Sequence, residues 1–420
     1  MLLSSCSFYG VDDYYDPSEL HTVVKNSQET IQLRKQQAEN FTLEQKAEIF
    51  ETRLKKTFHQ KYIFIPKLFD ENPNPPLRID TTALLLSALA FKYSVTQNEQ
   101  DKNLISKMVD SLISADEANG FDGFLPYKVR IKNDTIVPID NKTRENVYAQ
   151  LFFAYTSILN YVSCPEIHEK VIQHSRFIIT HFAKHDFKLI NHEGKESPHA
   201  DLSPTQFSIL NNRKLSLLYI LDLGLKFCED KVILNKLQQT RERAVSYGYL
   251  DEILELHTVF LNLEFPTQSS SWLNMLKIYN GWSASQNNVY KMAYDRLILR
   301  YADEDNLFFE LIGHAIHQRK PSSKIARLLA TFPLDLSNKE IINSLNPAIK
   351  NVRGNYVKLK GQYESTTVLP FYQRPLNNYL WKRNQMHLDG NIKSNGLLNF
   401  TGVDYLQVYW MMRALEKQFN

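Results

Sequence analysis

Residues 78–95 read RIDTTALLLSALAFKYSV. From Ala83 to Phe91 the run holds a single polar side chain, Ser87, so a helix here is apolar on every side rather than along one stripe. Such a helix is one that neighbours cover all round. It is too short for a bilayer, which takes about 20 apolar residues, and polar sequence follows it. Asp80 stands where a helix N-cap would. The next stretch, NEQDKNLISKMVDSLISADEAN (98–119), is of another kind. Leu104, Ile105, Met108, Val109 and Leu112 recur at helical spacing on one face, and charge fills the other.

This pairing of an apolar helix with an amphipathic one returns along the chain. RENVYAQLFFAYTSILNYV (144–162) precedes CPEIHEKVIQHSRFIITHFAKHDF (164–187), where Pro165 suits a helix start. SPTQFSILNNRKLSLLYILDLGLKF (203–227) precedes DKVILNKLQQTRERAVSYGY (230–249), and NNVYKMAYDRLILRYAD (287–303) is followed by DNLFFELIGHAIHQR (305–319). The period is about 50 residues, the mark of stacked helical hairpins. An inner ring covered on both sides and an outer ring with one wet face fit an all-α (α/α)6 toroid. An open solenoid is the alternative, and the apolar closing helix GVDYLQVYWMMRALEKQF (402–419) favours closure. Short strands are expected in a loop, at YKVRI (127–131) and TIVPI (135–139), and residues 17–58 form a polar helical leading segment. No Pro/Gly/Ser linker divides the chain, so residues 19–420 are read as one domain.

Composition agrees. Thirteen glycines in 420 residues leave little material for phosphate-binding loops. With 49 basic and 46 acidic residues and no basic block, nucleic acid is not an expected partner. The 22 tyrosines and 24 phenylalanines suit core filling or a broad, partly wet inner surface. There is no G-x-S-x-G, H-E-x-x-H, Walker, GxGxxG or EF-hand pattern. His314 and His317 are spaced for one helix face, but no carboxylate follows at ligand spacing, so no metal and no cofactor is expected.

Leu3-Ser4-Ser5-Cys6 resembles the lipobox of bacterial lipoproteins. The expectation is a lipid anchor on Cys6, residues 1–18 as a truncated signal and tether, and a place in the periplasm at the outer membrane of a Gram-negative cell. Cys164 and Cys228 remain, either as a pair or as buried thiols.

Four stretches carry a further resemblance: 78–95, GFDGFLPYKV (120–129), LPFYQRPLNNYLWKRNQMHLDG (369–390) and GVDYLQVYWMMRAL (402–415). Together they resemble a group of largely uncharacterised bacterial (α/α)6-toroid proteins, often secreted or lipoproteins, related in fold to unsaturated glucuronyl hydrolases and polysaccharide lyases. In the closing helix Gln407 and Val408 stand where that group tends to have Leu-Pro. The resemblance implies a wide mouth at the N-terminal ends of the inner helices, where helix dipoles favour an anionic group such as a uronate.

Asp80, Asp122, Asp404 and Glu145 are then the catalytic candidates. Tyr127, Arg144, His199, Asp201, Trp282, Arg374, Trp381, Arg383 and Tyr405 are candidates for substrate binding. Each has a structural alternative. Asp80 and Asp404 suit helix caps, Glu145 suits a first helical turn, and the tryptophans suit a core. A glycosidase needs two carboxyl groups across a cleft, whereas a lyase needs a base, an acid and a neutraliser for the uronate. Three functions stay open: a glycan-processing enzyme, hydrolase or lyase, on an acidic or surface polysaccharide; a non-catalytic lipoprotein binding a glycan or protein; and a helical scaffold.

Overall fold

The apolar run that opens the reading folds as the helix Ile79–Thr96, and every residue from Thr82 to Phe91 is buried. The computed structural model describes residues 17–66, 68–69, 75–120, 123–139, 143–191, 194–206, 211–256, 268–337, 339, 341, 367–374, 376, 380–383, 385–386 and 399–419. Among these the helices are α1 (Pro17–Asn40), α2 (Leu43–Lys55), α3 (Ile79–Thr96), α4 (Glu99–Glu117), α5 (Glu145–Tyr161), α6 (Pro165–Lys184) and α7 (Asn211–Phe227). They continue with α8 (Lys231–Ser246), α9 (Tyr249–Glu252), α10 (Gln268–Ser285), α11 (Asn288–Leu299), α12 (Leu307–Ile316), α13 (Ser323–Leu329) and α14 (Val403–Gln418).

Helices α3, α5, α7, α10, α12 and α14 form an inner ring. On the inside, α3 packs between α5 and α14, and α12 between α10 and α14. Helix α7 lies on α10 and reaches α5 through the rings of Phe152 and Tyr219, 6.1 Å apart. Helices α2, α4, α6, α8, α11 and α13 lie outside, each with a buried stripe and an exposed face. The contact of α14 with α3 closes the circle, so the chain is an (α/α)6 toroid. Helix α1 is outside the six hairpins and packs on the turn Phe371–Gln373.

The seam joins the two ends of the chain. Gln407 Nε2 donates to Ser87 Oγ at 3.2 Å, Trp410 Nε1 to Glu51 Oε1 at 2.9 Å, and Tyr405 Oη to the Leu43 carbonyl at 2.7 Å. At the start of α14, Gly402 has φ +80°. A Cβ there would strike the Phe50 ring, so both backbone and space require glycine.

Between hairpins, a buried relay ties three helices. Tyr155 Oη of α5 lies 2.6 Å from His174 Nδ1 of α6, and His174 Nε2 lies 3.2 Å from Asp116 Oδ2 of α4. The expected strands form at Lys128–Lys132 and Thr135–Pro138, in a four-stranded antiparallel sheet with Ile65–Pro66 and Leu77–Arg78. The strand Leu77–Arg78 runs straight into α3, which fixes this sheet at the N-terminal end of the inner ring. Among the described residues no helix is long and apolar enough to cross a membrane. Cys6 lies outside the described residues, and Cys164 and Cys228 are free thiols.

Candidate active site

The N-terminal ends of α3, α5, α10 and α14 meet around one cleft of about 310 Å³. Asp80 and Leu84 come from α3, Asn146 and Gln150 from α5, Ser269 from α10, and Val403 and Asp404 from α14. Arg78, Tyr127 and Arg144 enter from the segments leading into these helices, and Lys382 from the late segment. Four helix N-termini around one cavity give a positive potential, to which Arg78, Arg144 and Lys382 add.

Among the described residues, the two carboxyl groups that line the cleft are in opposite environments. Asp80 is not an N-cap: α3 begins at Ile79 and its N-cap residue is Arg78. Its carboxylate instead takes both arms of the Arg78 guanidinium, Nε to Oδ1 at 2.9 Å and Nη2 to Oδ2 at 2.6 Å. Burial would raise its pKa, but the Arg78 pair, with Lys382 and the Thr81 N–H, holds it below the ordinary carboxylate range.

Asp404 is the second residue of α14, whose N-cap is Gly402, so it too is not a cap. Its Oδ2 accepts the Leu380 N–H at 3.3 Å and its Oδ1 the Tyr405 N–H at 3.2 Å. Burial pushes it up to about 6, against the pull of those N–H groups. One carboxyl is thus held ionised while the other exchanges a proton near neutrality, the separation that acid–base catalysis uses.

Tyr127 stands beside Asp80. Its hydroxyl accepts from Arg78 Nη2, and its ring lies 4.0 Å from the Arg78 guanidinium carbon and 5.2 Å from that of Arg144. Arg144 is exposed and makes no ion pair among the described residues. The Lys382 ammonium sits 4.1 Å from the centroid of the buried Trp272 ring.

Asp80, Asp404, Tyr127 and Arg144 therefore come together, and the other candidates whose side chains are described do not line the cleft. Glu145, next to Arg144, turns away: its carboxylate takes Lys277 of α10 and Ser216 of α7. Asp201 ends the strand Glu196–Asp201 and is held by Lys188 at 3.4 Å and the Ser203 N–H at 2.9 Å. Trp282 is near the C-terminal end of α10, about 20 Å along the helix from Ser269. Arg374 is buried on the Leu369 carbonyl and Gln385, and burial pushes it down to about 9. Trp381 is fully buried, its Nε1 donating to the Asp404 carbonyl at 2.8 Å. Burial likewise takes Arg383 down to about 10. Tyr405 is buried in the seam. Asp122 and the His199 side chain lie outside the described residues.

Arg78, Lys382, Asn146 and Gln150 were not anticipated. Arg78 heads the apolar run and Lys382 stands between Trp381 and Arg383. A basic residue two before an Asp at a helix start was the available signal for Arg78, and nothing in local sequence separates Lys382 from its neighbours. Among the described residues no group of His, Cys, Asp and Glu is arranged to hold a metal ion.

No family model and no curated protein matches the chain. Among solved structures it is similar to a GH76 alpha-mannanase of Bacteroides thetaiotaomicron, with 8% identity, a TM-score of 0.44, and cover of 90% of this chain and 96% of that one. It is also similar to a sugar epimerase from a ruminal bacterium, with 10% identity, a TM-score of 0.45, and cover of 90% and 98%. A third is the cellobiose 2-epimerase of Spirochaeta thermophila, with 9% identity, a TM-score of 0.40, and cover of 89% and 98%.

Proposed function

We propose that the protein is a glycan-processing enzyme, a hydrolase or lyase acting on an acidic polysaccharide, tethered in the periplasm through a lipid on Cys6. The observation that carries the reading is the pairing, in one cleft, of Asp404 poised near neutrality with Asp80 held as the carboxylate. Arg78, Arg144 and Lys382 around them support a substrate with negative charge.

In hydrolysis, Asp404 gives its proton to the departing glycosidic oxygen. Asp80 offsets the positive charge that develops on the sugar ring, water bonds to the anomeric carbon, and its released proton returns to Asp404. In elimination, the cleft cations neutralise the uronate carboxylate, which acidifies the neighbouring C–H. Tyr127, acting as the phenolate beside Arg78 and Arg144, takes that proton, and Asp404 protonates the leaving oxygen. Asp404 has the same role in both. The anchor rests on Leu3-Ser4-Ser5-Cys6 alone; incorporation of labelled fatty acid that stops in Cys6→Ala tests it.

The activity test is incubation of a form cut after Cys6 with uronate-containing and bacterial surface oligosaccharides, with products followed by mass spectrometry. Hydrolysis adds the mass of one water across the products and elimination adds none. Product that disappears in Asp404→Asn and Asp80→Asn supports the enzyme. A raised melting temperature without product moves the assignment to a glycan-binding lipoprotein, and no response from either readout refutes both.

A further inference from the structure

Arg34 of α1 has no access to water. Its Nη2 donates to the Ser337 carbonyl at 2.6 Å and its Nη1 to the Arg374 carbonyl at 3.4 Å, with Asp335 Oδ2 3.8 Å from Nε. A guanidinium fully removed from water is costly unless it is paired and hydrogen-bonded, and Arg34 is held by two carbonyls and the Asp335 carboxylate.

What it holds leads to the cleft. Arg374, also buried, gives Nε and Nη2 to the Leu369 carbonyl at 2.8 and 2.6 Å, and Nη1 to Gln385 Oε1. Gln385 Nε2 donates to the carbonyls of Leu380 and Arg383 at 3.1 and 2.6 Å. The Leu380 N–H rests on Asp404 Oδ2, Trp381 Nε1 on the Asp404 carbonyl, and Lys382 lines the cavity. Asn306, the N-cap of α12, adds Nδ2 to the Trp381 carbonyl at 3.1 Å. One unbroken hydrogen-bonded chain therefore runs from a helix outside the ring, through Arg374, Gln385 and Leu380, to a cleft carboxyl.

We propose that Arg34 is a positioning residue for the cleft: through Arg374 and Gln385 it fixes the segment that sets the Leu380 N–H on Asp404 and Lys382 in the cleft wall. The proposal deepens the reading of Asp404 as the acid and rests on it. It also gives α1 a role that closure of the ring does not require. Among the described residues, the titratable groups facing Asp404 across the cleft are Arg78 and Asp80 at the start of α3, Tyr127, Arg144 before α5, and Lys382.

The test is titration of Asp404 by NMR in protein labelled with 13C at the aspartate carboxyl, the signal being assigned by its loss in Asp404→Asn. Arg34→Met keeps the packed stem and removes the guanidinium. Lys46→Met is the control: Lys46 is equally buried and holds the Ala330 carbonyl at 2.5 Å, without touching the chain to Asp404. The expected result is a midpoint raised by about one pH unit, tenfold in proton affinity, in Arg34→Met, as the Leu380 N–H that favours the carboxylate is lost. Lys46→Met should lose melting temperature with its midpoint unmoved.

If Arg34→Met does not fold, Gln385→Leu breaks the same chain next to Asp404 and is read in the same way. A wild-type midpoint near 6 that neither variant moves overturns the positioning role and leaves the acid standing. A wild-type midpoint in the ordinary carboxylate range sinks the acid, and the positioning role with it.

Discussion

Asp404→Asn is expected to stabilise the protein at neutral pH while abolishing turnover. In the folded chain the Asp404 carboxyl is pushed up to about 6 from its ordinary 3.8. Between those values the folded state binds more protons than the unfolded one, so this group's contribution to stability falls as pH rises. It is fully present below the unfolded value and is lost as pH passes the folded one. A gap of about two units, at about 1.4 kcal/mol each, makes the charged group cost roughly 3 kcal/mol at neutral pH.

Asparagine removes that charge. It has one acceptor oxygen where Asp404 uses two, for the Leu380 and Tyr405 N–H groups, and that mismatch costs about 1 kcal/mol. The net expectation is a gain of roughly 2 kcal/mol at about pH 8, reversing to a loss of roughly 1 kcal/mol below about pH 4. In a chain of this length that is a few degrees of melting temperature, about 1–2 °C per kcal/mol. The assay is scanning calorimetry of both proteins across that pH range. A variant less stable than wild type at high pH, or a difference that does not change with pH, refutes the reasoning. Turnover of whichever oligosaccharide is cleaved should fall by about 100-fold or more in the variant. In wild type it should decline as pH rises above the Asp404 midpoint, where the acid form is lost.

Three other outcomes are expected. Lys382→Met should weaken binding of uronate oligomers by about 10-fold, a single charge-assisted contact, and the loss should shrink in high salt; titration calorimetry at two ionic strengths measures both. Gly281→Ala places a methyl group inside the Tyr290 ring, and Tyr290 is itself held by Asp222 at 2.7 Å, so urea unfolding should show a loss of about 3 kcal/mol. His174→Leu removes the partner of both Tyr155 and Asp116 inside the core, and a loss of about 2–3 kcal/mol is expected by the same measurement, with cleft binding unchanged.

The helix pairing was legible because each half of it is written in adjacent residues. The all-round apolarity of 83–91 marks an inner helix, and the one-sided apolarity of 98–119 marks an outer one. The mouth was legible in part for the same reason. Asp80, Arg144 and Asp404 lie at helix starts that the apolar runs reveal, and inner-helix starts share one end of a toroid. Glu145 and Arg144 show the limit. They are neighbours in the chain, yet Arg144 faces the cleft while Glu145 turns to Lys277 and Ser216. Trp282 fails for a different reason: it lies on the right helix at the wrong end.

The sequence by itself determined the fold class, the end of the ring at which a site forms, and the residue types that gather there. The fold class follows from periodicity and chain order, which are local properties, and the end of the ring from the resemblance carried by four stretches of the chain. Only the tertiary structure decided which carboxyl is pushed up and which is held below the ordinary carboxylate range. Asp80 and Asp404 both stand in the first turn of an apolar helix and look alike in sequence. Arg78, two residues away, pairs with one, while burial against Leu380 and Trp381 leaves the other without a charged partner on its oxygens. Desolvation depends on everything packed around a group, and those neighbours come from distant parts of the chain.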